Sequence, residues 1–162
     1  MTFLVPYDGS YLAEAALTSA AEFGDALGED VTAVTVVPDD ERYAREKEWY
    51  GDDKAESFSV PYVVGKLHRE VANFAPRAAF RFEEVEVAAS AAIAERIEQV
   101  VDECYPSVVF LGTDDMGEVT RPLTSVAGGV AADAEYDVHV VRHFSPTAIQ
   151  EIAHETERYP EA

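Results

Sequence analysis

The sequence predicts an α/β protein built on a doubly wound, five-stranded parallel sheet. Short apolar runs rich in β-branched and aromatic residues, which are typical of buried strands, alternate five times with helical patterns of apolar residues. The connections within the first strand-helix-strand unit are short, which implies a parallel pair with a right-handed crossover. At 162 residues, of which 48% are hydrophobic, the chain has the size of one domain with its own core.

The first strand-helix-strand unit ends near residue 37. Residues 2–7 (TFLVPY) predict a strand, and Ser10 is a suitable N-cap for the helix that follows. Gly28 ends this helix, and residues 31–37 (VTAVTVV) predict a second buried strand. Helical spacing predicts a buried face made of Ala13, Ala16, Leu17, Ala20, Phe23 and Leu27.

Residues 38–59 differ from the rest of the chain because they are dense in both charges and have no sustained apolar period. We expect a charged excursion over the surface rather than a part of the core, with some helix around residues 42–49. Trp49 and Tyr50 have three possible places: over a ligand crevice, at a subunit contact or, as we favour, packed against the domain.

Two further helices flank a strand in the middle of the chain. One helical stripe, ended by Pro76, consists of Val60, Val64, Leu67, Val71 and Phe74. Residues 80–87 (FRFEEVEV) alternate imperfectly, which indicates a half-exposed strand at a sheet edge. Ser90 is the expected cap of the next helix, whose apolar stripe is Ile93, Ile97, Val100, Val101 and Cys104.

The stretch from Ser107 to Val130 is the predicted ligand crevice. Residues 107–111 are a short apolar strand, Gly112 ends it, and a helix begins near Pro122. A strand, a glycine and a helix N-terminus form the usual anion-binding crevice of an open parallel sheet. Asp114 and Asp115, however, stand where an anion would arrive.

The last predicted strand is residues 137–142 (DVHVVR), and residues 144–162 form a tail that we expect to be partly helical or disordered. His139 lies within that strand and belongs either to a subunit surface or to the core. The predicted domain is therefore residues 1–143.

Composition narrows the classes of function. The net charge of −20 argues against a nucleic acid partner, which would require a basic face. The acidic residues are scattered and only three lysines occur, a pattern typical of proteins from halophilic archaea, where molar salt screens self-repulsion. The single Cys104 fits core packing in a cytoplasmic protein, and no apolar run of about 18 residues predicts a membrane span.

Taken in order, several segments resemble the universal stress protein (UspA-like) family. They are VPYDGSYLAEAALTSAAEFG, VTAVTVV, FEEVEVAASAAIAERIEQVV, SVVFLGTDD, TSVAGGVA and DVHVVR, in the family's order, and the resemblance extends over nearly the whole chain from Thr2 to Arg142. The resemblance implies a Rossmann-like sheet of the adenine nucleotide α-hydrolase type, with strand order 3-2-1-4-5 and a crevice between the first and fourth strands. It also implies a non-catalytic homodimer, commonly formed through the last strand, that acts in stress response with partner proteins unknown.

Family members that bind ATP carry a glycine after the fourth strand, a second glycine three positions on, and a Gly-Ser or Gly-Thr pair about ten residues later. This chain retains the first glycine as Gly112 and the serine as Ser125, followed by Val126. Asp115 replaces the second glycine, and Thr124 replaces the glycine of the pair. Asp8 and Val36 or Val37 match the positions that hold the nucleoside in the binders.

The departures predict a degenerate nucleotide site with no tightly bound cofactor. A carboxylate at Asp115 would repel a polyphosphate, and Thr124 adds a Cβ where the binders need bare backbone. ATP with Mg²⁺ remains the alternative ligand, since a bound cation would reverse that repulsion. Beside the non-catalytic dimer and a nucleotide-binding switch of the same fold, a third hypothesis is an enzyme that uses Asp8, Asp114 and Asp115 to hold Mg²⁺. Chance surface aspartates explain this cluster better in a chain with 32 acidic residues.

Overall fold

The structure is a computed structural model that describes residues 2–51, 57–112 and 136–142. Over these residues the strands are β1 (Thr2–Pro6), β2 (Asp30–Pro38), β3 (Ala79–Val85), β4 (Val108–Gly112) and β5 (Asp137–Val141). The helices are α1 (Tyr11–Leu27), α2 (Glu41–Glu46), α3 (Val60–Phe74) and α4 (Ser90–Cys104). The expected final helix after Pro122 and the tail at 144–162 lie outside the described residues.

The five strands form one parallel sheet in the order β3-β2-β1-β4-β5, which confirms the predicted fold class and strand order. The helices α1 and α3 cover one face of the sheet, and α4 covers the other. The chain leaves β1 toward β2 and β3 on one side and later returns to place β4 and β5 on the other. The order therefore reverses between β1 and β4, where such sheets have their crevice.

Helix α1 begins and ends where the sequence predicts. The Ser10 hydroxyl accepts a hydrogen bond from the Ala13 N–H at 3.2 Å, and Gly28 takes the left-handed conformation at φ 69°. The prediction that Leu27 is buried is wrong, since this side chain is 65% exposed. Leu27 is the last residue of α1, one turn after the helix approaches the backbone of Glu29 at Gly24.

The buried stripe of α3 differs from the predicted one. Val63 is fully buried where Val64 was expected, and Phe74 at the helix end is 40% exposed. The N-cap of α4 is Ala89 rather than Ser90, because the helical hydrogen bonds begin with the Ile93 N–H donating to the Ala89 carbonyl. Strand β3 lies at one sheet edge, half exposed as predicted, but ends at Val85.

The expectation that residues 38–59 run over the surface without joining the core is wrong. Ala44, Trp49 and Tyr50 are buried in the same cluster as α1 and α3. The Asp40 carboxylate caps the short helix α2 by accepting from the Tyr43 N–H at 2.8 Å. Trp49 thus packs against the domain, as favoured, and anchors the segment beside the carboxyl end of β1.

Gly112 at the end of β4 lies directly against the first turn of α1. A Cβ at this position would overlap the carbonyl group of Leu12 and the amide nitrogen of Ala13. Both neighbours are backbone atoms of a helix, so they cannot move aside as a flexible side chain would. Glycine is therefore required here for the approach of α1 to β4, whether or not a ligand binds nearby.

We predict that Gly112→Ala lowers the free energy of unfolding by at least about 2 kcal/mol, because the added methyl group overpacks a rigid contact. Gly65→Ala is the matched control. Gly65 lies inside α3, and outside the backbone of its own helix the atom nearest to an added Cβ would be Arg69 Nη1, at 3.8 Å. There the replacement should stabilise the protein by about 0.5–1 kcal/mol. Urea unfolding at constant salt measures both, and equal stability of the Gly112 variant and the wild type would contradict the packing argument.

Candidate functional site

A cavity of about 180 Å³ opens at the carboxyl ends of the central strands. Its walls come from the ends of β1, β2 and β4, the first turns of α1 and α4, and the segment after β2. The lining residues are Pro6, Tyr7, Asp8, Ala13, Val34, Val36, Tyr43, Lys47, Ser90, Ile93, Ala94, Ile97, Leu111 and Gly112. Most of these side chains are apolar, and the charged ones among them are Asp8 and Lys47.

Three of the predicted site residues meet in this cavity. Asp8 follows β1, Val36 lies in β2, and Gly112 ends β4, so three strands bring them to one place. Asp115, Thr124, Ser125 and Val126 lie outside the described residues, as does Asp114. The nucleotide-binding role predicted for all of these positions stays a prediction.

Asp8 is held on three sides by hydrogen bonds. Its Oδ1 accepts from the Ser10 N–H at 2.9 Å, an Asx turn that leads into α1. Its Oδ2 accepts from Lys47 Nζ at 2.9 Å, and its backbone carbonyl accepts from Trp49 Nε1 at 2.7 Å. The segment after β2 is thereby tied to the mouth of the crevice by both a side chain and a backbone contact.

Opposing effects act on the charges of this pair. Burial by itself would raise the pKa of Asp8, but the charge of Lys47 and the hydrogen bonds from Ser10 and Lys47 hold it below its ordinary value. Burial likewise opposes the charged form of Lys47, yet Asp8 raises the pKa of the ammonium group. Both groups are therefore ionised at neutral pH, and the pair has no net formal charge.

Sequence reasoning missed Lys47 and Tyr43 because it assigned residues 38–59 to the surface. A signal was present: Lys47 is one of three lysines in a chain of net charge −20, and its segment follows β2 at the same sheet edge as Asp8. Lys47 Nζ also lies 5.8 Å from the centre of the Tyr43 ring. A lysine in so acidic a chain, at the same sheet edge as a predicted site carboxylate, indicates an ion pair between the two.

A second, more polar cavity of about 290 Å³ lies on the other side of Lys47. In its wall Lys66 Nζ donates to the Glu48 carbonyl at 3.1 Å, and Glu70 Oε2 accepts at 2.9 Å from the hydroxyl of Tyr7, a residue that lines the apolar cavity. Burial, and then Glu70, raise the pKa of both Tyr7 and Glu14. Lys47 thus separates an apolar cavity from an acidic one.

A larger cavity of about 590 Å³ lies at the opposite end of the sheet, beside the loops that enter β2 and β3. None of the predicted site residues that the structure describes, Asp8, Val36 and Gly112, lines it. Its Arg77–Asp25 ion pair, at 3.3 Å, is largely exposed and so contributes little to stability. The cavity's size alone does not connect it with the predicted chemistry.

The described side chains fit binding better than catalysis or metal coordination. The Ser10 hydroxyl is occupied by capping α1, and His139 stacks on Phe110 with ring centres 5.1 Å apart. Over residues 2–51, 57–112 and 136–142, no group of three or more histidines, cysteines, aspartates or glutamates is arranged to hold a metal ion. Nor does any helix in this part of the chain have the length and apolar character to cross a membrane.

Comparison with known proteins agrees with the topology. A model described as the universal stress protein family matches residues 1–142, whereas no curated protein sequence matches significantly. A solved structure from the same family in Burkholderia pseudomallei is 24% identical, covers 88% of this chain and 96% of its own, and has a TM-score of 0.52.

Two further structures are less similar. A universal stress protein from Lactobacillus plantarum is 22% identical over 88% of this chain and 97% of its own, with a TM-score of 0.47. A universal stress protein in complex with cAMP is 18% identical over 90% of this chain and 98% of its own, with a TM-score of 0.47.

We predict that Asp8 contributes stability that is present at neutral pH and lost in acid. Because the pKa of Asp8 is lower in the folded state than its ordinary value of 3.8, its contribution is complete above pH 3.8 and disappears as pH falls through the folded-state pKa. The difference in unfolding free energy between the wild type and Asp8→Asn should therefore shrink below about pH 4.

Asp25→Asn is the control for this measurement, because it removes an exposed ion pair and should change stability by less than about 0.5 kcal/mol. Urea unfolding at several pH values measures all three proteins. A difference between the wild type and Asp8→Asn that stays constant down to pH 2 would show that the Asp8 charge is not stabilised by the fold.

Proposed function

The chain belongs to the universal stress protein family, and we propose that it acts in stress response as a cytoplasmic, non-catalytic homodimer whose crevice binds ATP weakly or not at all. The observation that carries the proposal is the contact between Lys47 and Asp8 at the mouth of the crevice. Asp8 matches a position that holds the nucleoside in ATP-binding relatives, and here both of its carboxylate oxygens already accept hydrogen bonds. The ammonium group of Lys47 would have to leave Asp8 before it could bind a phosphate.

The size of the crevice supports the same conclusion. Its volume of about 180 Å³ lies below the roughly 300–1,000 Å³ of ordinary small-molecule pockets. The sequence then places Asp114 and Asp115 immediately after the Gly112 end of β4, where carboxylates would repel a triphosphate. The retained Gly112 does not weigh against this, because packing on α1 already requires a glycine there.

Strand β5 supports the proposed dimer. It lies at the edge of the sheet, paired on one side with β4, so its other side carries backbone groups that natural proteins tend to pair or cover. The His139 side chain packs against Phe110 and Phe23 of its own chain. The candidate contact with a second copy is therefore the backbone edge of β5 that faces away from β4. Residues 137–142 are therefore the proposed interface, and the partner proteins are unassigned.

A nucleotide-binding switch is the second candidate function. The observation that favours it is that Lys47 and Trp49 both bind Asp8 from the charged segment after β2. A nucleotide that took the place of Lys47 would move this segment, and occupancy of the crevice would then be read on the surface of the protein. Mg²⁺ bound with the nucleotide would offset the repulsion by the aspartates.

We predict that Mg-ATP gives no saturable heat at micromolar concentrations when titrated calorimetrically into the protein at about 2 M KCl, a salt level that screens the net charge. The double substitution Asp115→Gly and Thr124→Gly should create or strengthen binding, because it restores the glycines of the binding relatives. Titration of Mg²⁺ alone is the control. Micromolar saturation of the wild type would overturn the proposal and favour the switch.

We also predict a mass twice that of one chain by light scattering at the same salt concentration, since among the described residues β5 is paired on one side only. Placing a lysine on that strand, as in Val140→Lys, should shift the distribution toward monomer if the contact involves residues 137–142. The matching change on the other edge strand, Phe82→Lys, alters a side chain that is 51% exposed and should leave the mass unchanged. A monomeric wild type would remove the dimer from the proposal.

A further inference from the structure

Lys47 is in contact with both cavities at the carboxyl end of the sheet. Its ammonium nitrogen lies 2.9 Å from Asp8 Oδ2, and the two side chains are 36% and 39% exposed. Among the described residues that line the apolar cavity, Lys47 is the only cation and Asp8 the only anion. The positive charge that an anionic ligand would need is thus already in contact with a carboxylate.

The rest of the lining suits an uncharged ring. Its walls are apolar side chains from β2, β4 and α4, such as Val36, Leu111 and Ile97, and the Tyr43 ring lies near the mouth. Apolar walls with a few polar groups at one side are the usual form of a small-molecule site. A volume of about 180 Å³ suits one small ring system.

The charged pair offers both kinds of hydrogen bond to such a ring. The Asp8 carboxylate retains acceptor capacity beyond its bonds to Ser10 and Lys47, and the Lys47 ammonium has three donors. A hydroxyl or amino group and a ring nitrogen can therefore bind without breaking the ion pair. A phosphate that binds Lys47, in contrast, must break the contact between Lys47 and Asp8, which leaves that carboxylate without its cation.

We propose that Lys47 is a specificity-determining residue of the crevice and that, as the fixed counterion of Asp8, it selects an uncharged nucleoside-like ring compound over the corresponding nucleotide. This inference rests on the proposed function, because it names the class of ligand for the same crevice. It goes beyond that function in assigning the preference to the segment after β2 rather than to the loop after β4.

The test compares adenosine, AMP and Mg-ATP as probes by calorimetry, with the fluorescence of Trp49, the only tryptophan, as a second readout of occupancy. The wild type should bind adenosine at least about tenfold more tightly than AMP, as expected for one charged hydrogen bond that a phosphate fails to keep. Trp49 reports on the site because its Nε1 binds the Asp8 carbonyl.

Variants of the pair should move the preference in opposite directions. Asp8→Asn leaves an oxygen for the Ser10 N–H but releases Lys47, so AMP should gain about tenfold relative to adenosine. Lys47→Met retains the apolar stem and exposes the Asp8 charge, so AMP should weaken further. The control is Lys66→Met, since Lys66 pairs with Glu70 outside the apolar cavity and should leave the preference unchanged.

The outcomes separate this inference from the proposed function. Equal binding of AMP and adenosine by the wild type, or an unchanged ratio in Asp8→Asn, would overturn the role of Lys47. Absence of binding by adenosine, AMP and ATP alike would overturn the inference while leaving the proposed function in place. Micromolar binding of ATP would overturn both.

Discussion

The structure around the crevice depends on Asp8, which joins the turn before α1 to the segment after β2, about 40 residues further along the chain. Its carboxylate accepts hydrogen bonds from the Ser10 N–H, in the turn that leads into α1, and from Lys47 Nζ. Its backbone carbonyl accepts a hydrogen bond from the Trp49 indole. Trp49 is the largest fully buried side chain in the described part of the chain, so its polar nitrogen must have a partner. The residue that follows the end of β1 and Tyr7 therefore both fixes the turn into α1 and anchors the segment after β2.

The fold could be predicted because its signals are local and repeated. Five apolar runs with helical stripes between them, together with the Ser10 cap and Gly28, define the strands and most helix ends without tertiary information. The errors lie where tertiary geometry decides. Leu27 and Phe74 satisfy helical spacing but are the last residues of α1 and α3, so periodicity overestimates their burial.

The candidate site was only partly predictable, for a related reason. Asp8, Val36 and Gly112 follow predicted strands, and parallel strands bring their carboxyl ends to one edge. Lys47 and Tyr43 belong to a segment whose helix has only six residues, too few for an apolar period to appear. What fixes that segment is the burial of Ala44, Trp49 and Tyr50, a tertiary effect that its charge density conceals. At Gly112, a glycine whose position suggests phosphate binding also has a sufficient cause in helix packing, and its binding role stays a prediction.

The net charge of the chain and the Asp8–Lys47 pair disfavour an anionic ligand at different ranges. A charge of −20 repels a polyphosphate at long range, and molar salt, with a Debye length of about 3 Å, removes most of this repulsion. The ion pair has its atoms 2.9 Å apart, a distance at which little solvent intervenes, so salt weakens it much less. High salt can therefore restore the approach of an anion without freeing the cation that would hold it. An uncharged ring meets neither obstacle, and for this reason we propose that the local pair, rather than the overall charge, sets the ligand preference of the crevice.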